Sequence, residues 1–154
     1  MAKLEVYLHT GFVHPLIPFV MQKKFLLASL ATFLLVMIAD SLFYTFFMAK
    51  FMPSPNAKAM PLMSFLILGQ VVFALVFSYM YPKGVERGSM PEQGAKYGIT
   101  IALMYGLAMN LILFASTNGW TLQQVLADSI YRIIILAIAG VVVAYIYKLP
   151  YSRT

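Results

Sequence analysis

Four long apolar runs constrain this chain before any motif is considered. They cover about 25–47, 61–81, 95–115 and 125–147. Each reaches the roughly 20 residues that a helix rising about 1.5 Å per residue needs to cross a hydrocarbon core about 30 Å thick. Lipid offers no partner to an exposed backbone N–H or C=O. Runs this long and this continuously apolar therefore predict helices and not barrel strands. The expected fold is all-α, a membrane bundle of four transmembrane helices (25–154) preceded by a short N-terminal interfacial segment (1–24). That leading segment is broken by Gly11, Pro15 and Pro18 and reads as a bent lead-in lying along the interface. The apolar run after it exceeds the length of a signal-peptide core, so an uncleaved first span is expected.

Composition agrees. Of the residues, 62% are hydrophobic and 10% charged, against roughly 25% charged in an ordinary soluble domain. Too few charges remain to coat a water-facing surface. Without cysteine there is no disulfide framework, thiolate metal site or cysteine nucleophile. The net charge of +6 does not point to nucleic acid, because the basic residues flank the apolar runs and form no basic stripe.

The connections carry their own signals. Met-Pro-Ser-Pro-Asn at 52–56 ends the first helix, and Pro61 suits the first turn of the second. The segment 81–94, rich in proline, glycine and charge, reads as a loop. Thr117-Asn118-Gly119 reads as a turn, with Trp120 at the interface. Lys3, Lys23, Lys24, Lys83, Arg87, Lys96, Lys148 and Arg153 fall on one side, against Lys50 and Lys58 on the other. The positive-inside rule then predicts a multi-pass protein of a bacterial inner membrane with both termini cytoplasmic.

Charged side chains inside apolar helices are costly unless paired, which singles out Asp40, Asp128 and Arg132. All three are expected in the outer half of the bilayer, and Asp128 and Arg132 share a helix face. Asn110, Gln70, Tyr44, Tyr105 and Tyr131 point to the same region and outline a polar pocket with them. Two readings stand side by side: an ion-paired strut ordering helices one and four, or a solute, proton or lipid-headgroup site. A second pattern is a stripe of small residues, Gly94, Gly98, Ala102 and Gly106, matched by Gly140 and Ala144. Such stripes admit a close backbone neighbour, within one chain or across a dimer. A short echo, Ala39-Asp40-Ser41-Leu42-Phe43-Tyr44 against Ala127-Asp128-Ser129-Ile130-Tyr131-Arg132, runs in opposite directions across the membrane, as inverted repeats do.

His9 and His14, with Glu5 nearby, read as structural or interfacial histidines and not as metal ligands. A haem held by either stays open, and the residues name no cofactor. No phosphate loop, hydrolase triad or haem attachment motif is present.

Several of these residues form a pattern: Gln93-Gly94-Ala95-Lys96-Tyr97-Gly98, Tyr105-Gly106 followed by Asn110, then Trp120 and Asp128, with Asp40 and Tyr44 in the first helix. Across roughly 30–147 the chain resembles an uncharacterised family of small bacterial four-helix integral membrane proteins. It departs from that family's Trp-Gly after the fourth-helix aspartate, having Tyr131-Arg132 there. The resemblance implies the fold and carries no activity across.

Short loops, glycine surfaces and few groups for chemistry favour a structural or accessory subunit packing against a larger membrane complex or against itself. The lipid bilayer and other membrane subunits, or further copies of the chain, are the expected partners, with no nucleic acid. The alternatives are a small-solute or proton carrier or channel using the Asp/Arg cluster, and a membrane enzyme acting on a lipid or quinone through Asp40 and Asp128.

Overall fold

A computed structural model describes residues 16–53, 62–84 and 88–148, with side chains from Lys23 onward. Every regular element in it is helical. Helix α1 (Leu16–Leu42) runs through a π-helical stretch, Phe43–Met48, into the short α2 (Ala49–Phe51). Helix α3 (Met63–Met80) ends in a 3₁₀ turn, Tyr81–Lys83. Helix α4 (Met90–Ala102) passes through a second π stretch, Leu103–Ala108, into α5 (Met109–Ser116), and α6 (Leu122–Tyr147) closes the chain. These pieces form four rods, Lys23–Phe51, Met63–Lys83, Met90–Ser116 and Leu122–Tyr147, each long and apolar enough to cross a membrane.

The rod ends differ from the sequence expectation for local reasons. Residues 16–24, expected as part of an interfacial lead-in, are the first turns of α1. Pro18 falls within its opening turn, where a missing N–H costs no intrahelical bond. The rest of that lead-in, with His9 and His14, lies outside the described residues. Rod three starts at Met90 with Pro91 in its first turn, so Gln93 and Gly94 are helical and not part of the loop expected there. Rod four starts at Leu122 because Thr121 and Gln124 form a capping box. The Gln124 N–H donates to the Thr121 hydroxyl (3.3 Å), and the Thr121 N–H donates to the Gln124 side chain (2.8 Å). The Gln124 amide also donates to the Met52 carbonyl at 2.9 Å, tying the end of rod one to the start of rod four.

Rod four is the centre of the bundle. Its buried residues, from Gln124 and Val125 through Leu136, Ala139 and Val143 to Tyr147, recur at steps of three and four along one broad face. Against that face lies rod three, backbone to backbone. A Cβ added at Gly94 would stand 2.5 Å from the Gly140 carbonyl oxygen. One added at Gly98 would run into the Leu136 carbonyl and stand 2.8 Å from the Ala137 Cα. Ala102 and Ala144 are buried in the same interface. The two small-residue stripes therefore face each other within one chain.

Rod one packs on rods two and four. Rods two and three are bridged by aromatic rings: Phe73 with Tyr105 at 5.1 Å between centroids, and Tyr97 with Phe77 (4.8 Å) and Tyr81 (5.3 Å). The Tyr97 hydroxyl donates to the Phe77 carbonyl, and the Tyr147 hydroxyl to that of Ser78 at 3.0 Å. This seam holds the two backbones apart, whereas the glycine interface lets rods three and four touch.

Candidate functional site: a buried Asp–Arg–Asp cluster

The rods bring their polar residues to one level. Asp128 lies six residues after Leu122, Asn110 six before Ser116 and Gln70 seven after Met63, which is about 9–11 Å along each axis. Asp40 and Tyr44 come down rod one to meet them. Asp40, Asp128, Arg132 and Asn110 are all buried, with Asp128 only 2% exposed.

The guanidinium of Arg132 organises the group. Its Nη1 stands 3.1 Å from each oxygen of Asp40, its Nε 3.8 Å from Asp128 Oδ2, and its Nη2 donates to the Tyr44 hydroxyl at 2.9 Å. Tyr44 in turn donates to Asp128 Oδ1. On the other carboxylate, Tyr131 donates to Asp40 Oδ1 at 2.8 Å and the Gln70 amide to Oδ2 at 2.5 Å. The Asn110 amide donates to Asp128 Oδ2 at 2.6 Å and reaches Ser129 Oγ at 3.4 Å. The tyrosines are exchanged crosswise: the one on rod one serves the aspartate of rod four, and the one on rod four serves the aspartate of rod one. All four rods contribute, and both carboxylates receive donors on both oxygens.

Aromatic faces enclose the cation. The rings of Tyr105, Tyr44 and Tyr131 stand 5.5, 5.7 and 5.7 Å from the guanidinium carbon, within the range at which the ring quadrupole attracts it. Phe43 stacks flat on Tyr131, with centroids 3.9 Å apart. Gly106 makes room for the arginine stem, since a Cβ there would come 2.8 Å from Arg132 Cβ. Tyr44 lies in the first π stretch and Tyr105 and Gly106 in the second, so both irregular stretches border the cluster.

Taken out of water, charges cost several kcal/mol each unless they answer one another. Here one guanidinium answers two carboxylates, most closely Asp40, although the i, i+4 spacing in the sequence marks Asp128 as its nearer partner. Tyr105 takes part through its ring face. Ser129 and Phe43 join the cluster without having been singled out as site residues, although both stand inside the sequence echo around the two aspartates. Among the described residues no three His, Cys, Asp or Glu side chains converge as a metal would need. Two cavities lie elsewhere: one of about 620 Å³ bordered by Met80, Lys83 and Tyr97, and one of about 310 Å³ between Leu30, Phe33 and Leu75.

No family model, curated protein or solved structure matches this chain.

Proposed function

We propose that the chain is an integral membrane protein that acts as a structural or accessory subunit, a rigid four-span module packed against other membrane polypeptides or further copies of itself. One observation carries this reading: the ionisable groups deep in the spans are turned on one another. Arg132 pairs with both Asp40 and Asp128, and Tyr44, Tyr131, Gln70 and Asn110 add hydrogen bonds to the cluster, so that all four spans contribute. Such a cluster fixes which helices meet and in what register, which suits a module whose work is to hold shape. A carrier built on the same charges would have to release at least one of them in each cycle. The reading includes membership of the small bacterial four-helix family that the sequence resembles.

Solubilised gently from native membranes, the chain should travel with other polypeptides in fixed stoichiometry, or as a defined homo-oligomer, through affinity purification and mass spectrometry. Recovery as a lone monomer would overturn the subunit reading. We place both termini on the cytoplasmic face of a bacterial inner membrane, following the excess of lysine and arginine at that end. The absence of native cysteine makes this directly measurable. In intact cells a cysteine at Asn118 should react with an impermeant maleimide, while one at Ser89 should react only after the membrane is opened. The reverse pattern would invert the topology, and equal labelling of both in intact cells would remove the spanning arrangement.

A further inference from the structure

Rods two and three come to the same end of the bundle, where Tyr81–Lys83 closes one and Met90 opens the other. Because aromatic rings hold them apart there, a groove of about 620 Å³ lies between them, open on one side. That volume is within the roughly 300–1,000 Å³ typical of small-molecule sites. The walls are of two kinds. Met80 and Ile99 give an apolar stretch, 40% and 38% exposed, on the outer surface of the bundle. Lys83, Lys96 and Thr100 supply polar groups around it, over a floor that includes Tyr97.

Charge around this end is one-sided. Among the described residues Lys23, Lys24, Lys83, Lys96 and Lys148 gather at it against Glu92 alone, while the opposite end carries only Lys50. Lys96 sits 2.7 Å from Glu92, and the Lys83 ammonium lies 2.6 Å from the Tyr79 hydroxyl and 3.9 Å above that ring. Tyr79 is 57% exposed, so Lys83 is displayed at the outer surface and not folded into the core. An apolar trough that opens sideways and has ammonium groups at one end matches a molecule with a hydrocarbon tail and a negative head.

We propose that the groove between the second and third rods binds one anionic phospholipid, its phosphate beside Lys83 and Lys96 and the start of an acyl chain along Met80 and Ile99. The site rests on the membrane reading above and not on the subunit reading. A basic pocket between helices at the positively charged membrane face is a known physical solution for holding such headgroups, because each ammonium near the surface adds a few-fold to affinity. Glu92 tempers Lys96, so the pair together is expected to give about a tenfold preference for an anionic over a zwitterionic lipid of the same chains.

Native mass spectrometry of the full chain in detergent, with phosphatidylglycerol or phosphatidylcholine of matched chains, tests this directly. The wild type should retain phosphatidylglycerol about tenfold better. The K83Q/K96Q double variant should lose that preference, and K50Q, at the opposite end, should keep it. Ile99→Trp, which fills the trough, should weaken retention of both lipids. Equal retention of the two lipids by the wild type, or an unchanged preference in K83Q/K96Q, would overturn the proposal. Inorganic phosphate is the control for a headgroup-only site: it should not displace phosphatidylglycerol, and if it does the acyl part of the proposal is wrong. None of these outcomes depends on which polypeptides co-purify, so failure here is separate from failure of the subunit reading.

Discussion

Replacing Arg132 by methionine should destabilise the folded bundle by about 3–5 kcal/mol, the usual cost of removing one partner from a buried ion pair. Two carboxylates would then face each other's surroundings with only neutral donors to hold them, from Tyr131 and Gln70 on Asp40 and from Tyr44 and Asn110 on Asp128. Unfolding followed by circular dichroism in mixed micelles of increasing denaturing-detergent fraction measures the loss. The decisive comparison adds Asp40→Asn and Asp128→Asn to the methionine variant. With no charge left to strand, the triple variant should recover most of the stability, because the Gln70 and Asn110 amides can flip to offer their oxygens to the new side-chain NH2 groups while Tyr131 and Tyr44 donate to the remaining oxygens. A loss below about 1 kcal/mol in Arg132→Met would mean that the cation is not what holds the carboxylates.

Gly98→Ala is expected to cost about 3 kcal/mol, while the same change at Gly69 should be neutral or slightly stabilising. In an exposed helix alanine is favoured over glycine by up to about 1 kcal/mol. Gly69 meets nothing within 4 Å of an added Cβ, so only that preference acts. At Gly98 the same methyl group strikes the Leu136 carbonyl and the Ala137 Cα, both backbone atoms of a packed helix that have no rotamer to change. The opposite signs separate a helix-propensity effect from a packing effect. If both variants respond alike, rods three and four are not in backbone contact.

The fold was legible because hydrocarbon thickness turns run length into helix count, and the prolines and glycines marked the joints. What failed was the placement of helix starts. Pro18 and Pro91 read as breakers in the sequence, yet both fall in first turns, where proline is tolerated. The Thr121–Gln124 capping box is readable in the four residues before the run at 125–147, where hydropathy alone places the helix start three residues late. The cluster was legible as a set of costly residues on helices whose directions place them at one depth. Its wiring was not. Which carboxylate takes the guanidinium depends on the rotation of each rod about its axis, and the two π stretches, at Phe43–Met48 and Leu103–Ala108, alter that rotation without any marker in composition. The pairing of the glycine stripes within the chain likewise required knowing that rod four, and not a second copy, lies against rod three.

The crosswise tyrosines bear on how the protein is made. Asp40 emerges early in synthesis, whereas Tyr131 and Arg132, which satisfy it, follow 91 and 92 residues later. Until the last helix arrives, a nascent chain holds an aspartate whose only described early partner is Gln70. On the membrane reading proposed above, insertion of the first hairpin is therefore provisional, and a chain that stops short of its final helix keeps an unanswered charge at membrane depth.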